Sequence, residues 1–175
     1  MTDVLKDKTQ DEIDEYFINE CLKEAALAEE KDEVPIGAVI VKDARIIARA
    51  HNLRESDKCA THHAEILAIE GACKTLGGWR LPGTTLYCTL EPCCMCAGAI
   101  INARIERVVF GTNDLRFGGM GSLTDINAIG LNHRCEVKAG VMADRCKDTL
   151  SLYFKRKRAV KDEIKKAAAQ SQKEK

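Results

Sequence analysis

The sequence predicts an α/β layered domain. Three observations predict it. Amphipathic stretches of helical period alternate with short apolar, β-rich runs. Polar or glycine-bearing segments separate them. The 175 residues, 45% apolar and 31% charged, are enough for one core and match globular composition.

Each element follows from its own pattern. Asp11 to Lys31 reads as an amphipathic helix, because Ile13, Phe17, Cys21 and Ile18, Leu22, Ala25 recur at spacings of three or four. Val34 to Val41 is a short apolar run containing Pro35 and Gly37, consistent with a strand. Lys42-Asp43-Ala44 is polar enough to turn, and Arg45 to Ala50 reads as a second strand, so a hairpin is expected. Asn52 to Ala60 is a polar loop. Thr61 suits an N-cap for a helix from about His62 to Leu76, which Gly77-Gly78 ends. Thr84 to Leu90 is β-rich. Pro92 suits the first turn of a helix running to about Asn102. Arg107 to Phe110 reads as a strand, Asp114 to Gly121 as a glycine-rich loop, and Cys135 to Lys138 as a last short strand. Val141 to Arg158 reads as a helix, with Met142, Cys146, Leu150 and Phe154 stepping by four. Residues 159–175 form a Lys- and Ala-rich tail expected to fray. No repeat, linker or break divides the chain, so residues 1–175 read as a single domain.

Charge and cysteine usage narrow the class. The chain is neutral overall, but its ends differ. Met1 to Glu33 holds four Lys against twelve Asp and Glu, whereas Ser151 to Lys175 holds nine Lys and Arg against three acids. A neutral protein with a basic end can bind a polyanion locally. Lys155-Arg156-Lys157-Arg158, with Lys161, Lys165 and Lys166, is such a footprint; its plainer reading is a solvated helix end. No apolar run approaches the roughly 20 residues that span a bilayer, and no secretory signal opens the chain, so a cytoplasmic location is expected. Nine cysteines without a secretion signal read as metal ligands or small buried apolar residues rather than disulfides. Only Cys93, Cys94 and Cys96 cluster.

Cys93 and Cys96 stand three apart on an expected helix, which puts both thiols on one face and within reach of one zinc ion. A helix start also favours thiolate over thiol. Alone, C-x-x-C is equally a redox pair, half of a structural zinc site, or chance. His63 and Glu65 sharpen it. Two Cys and one His leave a fourth zinc position open for water, which catalytic zinc needs. Zinc brings that water's pKa to around 7, and a carboxylate beside it, Glu65, can accept and deliver protons. H-x-E selects His63 over His62, and Cys94 points off the shared face. H-x-E with P-C-x-x-C is the known signature of the zinc base deaminases, recognised as a pattern rather than deduced.

The chain as a whole resembles the bacterial tRNA-specific adenosine deaminases. The resemblance rests on Glu33-Val34-Pro35-Ile36-Gly37-Ala38-Val39, His63-Ala64-Glu65, and Thr89 to Ile100 around Pro92-Cys93-Cys94-Met95-Cys96. It extends to Arg107 to Gly111, Gly121-Ser122-Leu123 and Leu131-Asn132-His133-Arg134, and covers about Glu12 to Arg158. It implies a cytidine-deaminase-like three-layer α/β/α fold with a five-stranded mixed sheet. It implies a homodimer that converts adenosine to inosine at wobble position 34 of an arginine tRNA. It implies zinc on His63, Cys93 and Cys96, and proton transfer by Glu65. Asn52 matches a residue that contacts the flipped base, Asp114 one near the flanking ribose, and Phe154 a segment touching the anticodon loop. Plainer readings are a turn-former for Asn52, a loop cap for Asp114 and core packing for Phe154. Asn113 to Gly119 and the residues before Glu12 match less well. The rivals are a deaminase of a free base or nucleotide, such as guanine or cytosine, and a non-catalytic zinc-stabilised RNA-binding subunit. The basic end argues against the first and Glu65 against the second.

Overall fold

Thr9 opens the first helix with a reciprocal cap. Its hydroxyl accepts from the Glu12 N–H, and the Glu12 carboxylate accepts from the Thr9 N–H at 2.8 Å. The computed structural model describes residues 5–173. Helix α1 spans Gln10–Glu30, β1 Gly37–Lys42, β2 Arg45–His51, α2 Ala64–Leu76, β3 Thr84–Leu90, α3 Cys94–Asn102, β4 Arg107–Thr112, β5 Glu136–Lys138 and α4 Ala143–Lys173. A short 3-10 turn at Ile126–Ala128 precedes β5.

The strands form one sheet in the order β2-β1-β3-β4-β5. β1 pairs antiparallel with both β2 and β3, while β3, β4 and β5 run parallel, so the sheet is mixed. Side chains alternate across it. Ala38, Ile40, Leu86, Cys88, Val108 and Phe110 join a core containing Ala64, Ala68 and Ala72 of α2 and Ala97 and Ile100 of α3. Val39, Val41, Tyr87 and Val109 face the other way, onto Phe17, Ile18 and Cys21 of α1 and Cys146 of α4. Helices thus cover both faces, giving the expected α/β/α layers with five strands. The central strands β1, β3 and β4 are buried on both faces along their middles because each face meets a helix.

Asp14 of α1 ties four elements together. Fully buried, it accepts a two-pronged bond from Arg107 at 2.7 and 2.9 Å, and further bonds from Lys138 at 2.7 Å and Tyr87 at 3.0 Å. Burial opposes its charge, but the bonds from Arg107, Lys138 and Gln10 outweigh burial and hold its pKa at about 2.

Several boundaries differ from the sequence reading: β1 begins at Gly37 rather than Val34, and β4 runs past Phe110 to Thr112. Helix α2 starts at Ala64 with His63, not Thr61, as N-cap. Thr61 is used in the turn before it, where its carbonyl accepts from the His63 N–H at 2.7 Å. Pro92 lies just before the N-cap Cys93 rather than in the first turn of α3. Helix α4 does not end near Arg158 but runs on to Lys173. Ala and Lys are strong helix formers, and no glycine or proline interrupts them. Gly77 ends α2 as expected, in the left-handed conformation at φ 71°.

Candidate active site

The site forms where β3 leaves the sheet and turns through Glu91-Pro92 into α3. Ligands of α/β folds gather at such carboxyl ends of strands. Two helix starts converge there. His63 is the N-cap of α2 and Cys93 the N-cap of α3, both with extended backbone. Neither side chain caps its own helix. Both are left free to face each other, in a region made positive by two sets of unpaired N–H groups.

His63, Cys93 and Cys96 meet there as a potential metal-binding group. His63 Nδ1 lies 3.7 Å from Cys93 Sγ and 3.6 Å from Cys96 Sγ, and the sulfurs are 3.6 Å apart. Zinc with Zn–S near 2.3 Å and Zn–N near 2.0 Å in tetrahedral geometry has ligand–ligand edges of about 3.5–3.8 Å. The three donors therefore fit that ion as they stand, with one vertex to spare. A hydrogen bond from Cys96 and the adjacent His63 hold the Cys93 thiol down at about 4, against burial. The same shared bond, then burial, push Cys96 up. His62 turns away, with its Nδ1 2.7 Å from Asp57 Oδ2, and Cys94 is exposed outside the trio.

Glu65 stands in the first turn of α2, only 4% exposed. Burial pushes its carboxyl up to about 7, partly offset by its own backbone N–H and by His63. A carboxyl in that range exchanges protons in both directions near neutral pH. Glu65, His63 and Cys93 line a cavity of about 750 Å³, together with Asn52, Asp114 and Phe154. The six residues singled out from sequence for this side of the molecule thus share one cavity, while Cys96 is buried beneath it.

The individual readings divide. Asn52 is 5% exposed and hydrogen-bonded to a buried carboxylate, so it is more than a turn-former. Asp114 does cap its loop, accepting from the N–H groups of Arg116 and Phe117 at 2.9 and 3.2 Å, while also lining the cavity. Phe154 is 44% exposed; its neighbour Tyr153 is the packed one, its hydroxyl donating to the Asp32 carbonyl at 2.8 Å.

Sequence reasoning missed several residues. Arg54, Arg116, Lys147 and Arg158 add cationic side chains to the cavity lining, and only Arg158 lies in the basic run read from sequence. Glu91 is 2% exposed and accepts from the N–H groups of Asp114, Met120 and Ser122 at 3.0, 3.1 and 3.0 Å. A side chain at Gly118 would come within 2.4 Å of that carboxylate carbon, so the approach requires glycine. The signal for Glu91 was its position directly before the P-C-x-x-C motif, and for the arginines their placement in the two loops flanking the site.

The model of the MafB19-like deaminase family matches residues 13–158. The chain is 51% identical over 154 residues to the tRNA-specific adenosine deaminase of Bacillus subtilis (strain 168), covering 87% of this chain and 96% of that protein. It is 43% identical over 166 residues to the tRNA-specific adenosine deaminase of Haemophilus influenzae (strain ATCC 51907), covering 94% and 95%. A solved structure from studies of A-to-I editing by tRNA:A34 deaminases at the wobble position of transfer RNA matches with TM-score 0.74 and 43% identity. It covers 77% of this chain and 99% of that one. With its fold, its buried glutamate and its His-Cys-Cys trio alongside these relatives, the chain belongs to the MafB19-like deaminases and, among them, to the tRNA-specific adenosine deaminases.

Proposed function

We propose that this protein hydrolyses adenosine to inosine at wobble position 34 of a tRNA, an arginine tRNA among its substrates, with one zinc ion per subunit. The observation that carries this reading is Glu65, buried in the cavity beside His63, Cys93 and Cys96. His63, Cys93 and Cys96 would hold the ion, which would supply a Lewis-acid centre able to make water acidic at neutral pH. Glu65 takes a proton from that water and passes it to N1 of adenine as C6 is attacked. Glu65 then carries the water's second proton from the new C6 hydroxyl to the 6-amino group; the C6–N bond breaks, ammonia departs, and the C6 carbonyl of inosine remains. Asn52 holds the base, which must leave its stack to enter the cavity. Asp114 and Phe154 contact the neighbouring nucleotides. Arg54, Arg116, Lys147 and Arg158 neutralise phosphates at the cavity mouth.

The protein acts as a single deaminase domain, residues 1–175, and as a homodimer in the cytoplasm. Exposed Leu115, Phe117, Leu123, Ile129 and Leu131 support an apolar interface, and among the described residues no helix is long and apolar enough to cross a membrane. Sedimentation tests the dimer. The chemistry is tested by sequencing position 34 of tRNA after treatment with wild-type protein and Glu65→Ala. The variant is expected to keep its metal and lose at least about a hundredfold in turnover. Near-normal conversion by metal-loaded Glu65→Ala would refute the assignment.

A further inference from the structure

Glu33 takes no part in the chemistry described above, yet it is fully buried. Such a carboxylate is retained only when its lone pairs are used. Its backbone N–H is fixed to the Ala28 carbonyl at the end of α1, at 3.0 Å. One carboxylate oxygen, Oε1, accepts from the backbone N–H of Ser56 at 2.6 Å. The other, Oε2, accepts from the side-chain amide of Asn52 at 3.0 Å. Asn52 is itself immobilised through its N–H to the Ile36 carbonyl, at 3.0 Å, and its side chain lines the cavity with His63 and Glu65.

An asparagine amide can turn over, exchanging its donor and acceptor ends at almost no cost in shape. A carboxylate cannot accept that exchange, because it only accepts hydrogen bonds. Facing Glu33, the Asn52 amide must therefore direct its nitrogen at the carboxylate. Its second N–H and its oxygen then take fixed places toward the cavity. An amide presenting one N–H and one oxygen side by side matches N7 and the 6-amino group of adenine. We infer that Glu33 is a positioning residue that sets the hydrogen-bonding polarity of Asn52, and thereby the adenine preference of the cavity.

This inference rests on the adenosine deaminase reading. It makes an unusual demand on substitutions. Glu33→Gln preserves size but offers one acceptor. The Ser56 N–H is backbone and cannot turn, so it claims that acceptor. The glutamine nitrogen then faces Asn52 and forces its amide over. Glu33→Asp is shorter but keeps two acceptors. A role in packing alone predicts that Gln is the milder change; polarity control predicts that Asp is.

The test measures kcat and KM on an anticodon stem-loop RNA with adenosine at the target position, for wild type, Glu33→Gln, Glu33→Asp, Asn52→Ala and Glu33→Gln with Asn52→Ala. Glu33→Gln is expected to lose about tenfold or more in kcat/KM with metal content unchanged. Glu33→Asp is expected to lose less, and the double variant no more than Asn52→Ala. A milder Gln than Asp, or losses that multiply in the double variant, overturns the inference. A second measurement needs only wild type and Asn52→Ala. With 7-deazaadenosine at the target position, the wild type is expected to lose severalfold and Asn52→Ala nothing further. No loss in an active wild type overturns the inference while leaving the deaminase reading intact. A wild type inactive on the adenosine hairpin sinks both.

Discussion

Glu91 holds a loop by its lone pairs. Three backbone N–H groups from residues 114–122 converge on its two oxygens, and Gly118 makes room for it. That loop lines the cavity with Asp114, Arg116 and Phe117. Glu91→Gln leaves one acceptor oxygen and turns two N–H bonds of its own toward donors. At least one backbone N–H then goes unpaired in a buried place, at about 1–3 kcal/mol. Thermal denaturation is expected to register that loss, and steady-state kinetics a rise in KM for RNA larger than any fall in kcat, with the metal retained. The gathering of His63, Glu65, Cys93 and Cys96 in one place was legible in the sequence because the H-x-E and P-C-x-x-C spacings carry it. Glu33 was not, because a lone acid beside an apolar run is indistinguishable from a solvated one, and for Glu91 the place before P-C-x-x-C marked the residue but not its partners. Their partners come from loops 19 to 31 positions away. The true N-cap of α2 was hidden for a related reason. Capping preference favours Thr61, but the position belongs to His63, whose side chain is committed to the trio.

At the level of elements, the strands were the most legible feature and the last helix the least. Each central strand carries an apolar run because helices cover both faces, and composition alone reports that. The end of α4 has no such signature. Its last packed anchor is Tyr153, with Lys157 reaching Asp32 at 2.6 Å and Arg156 paired with Glu29. Among the described side chains after Arg158, all are exposed. A helix without tertiary packing is marginal at this length and melts gradually. Circular dichroism is therefore expected to show a shallow loss of helix before the cooperative transition. Truncation after Arg158 should abolish that slope, move the midpoint by no more than about 2 °C, and flatten the salt dependence of RNA binding. An unchanged pre-transition slope would contradict the solvated-helix account.

For the molecule as a whole, Asp14 joins α1 to three neighbouring strands, through residues 73 to 124 positions away. Such a tie is invisible to periodicity, which reports only that α1 has a buried face. Because its folded pKa is held at about 2, below the unfolded value near ~4, Asp14 adds stability that is fully present above that unfolded value. That contribution, roughly 2 kcal/mol, is lost as pH falls from about 4 through 2. Asp14→Asn is expected to cost about 2–4 kcal/mol at pH 7 by urea denaturation and to remove this part of the acid sensitivity. Equal acid sensitivity in the variant would reassign it to other carboxylates. The convergence of two uncapped helix starts has a further consequence, for the unfolded chain. His63 and Cys96 bracket all of α2 and β3. The proposed ion, gripped by both and by Cys93, would close a loop of roughly thirty residues and remove on the order of 3–4 kcal/mol of conformational freedom from the unfolded chain. Under the proposed zinc chemistry the reagent would also be a stitch, and the strength with which the site kept its ion would be part of what keeps the protein folded.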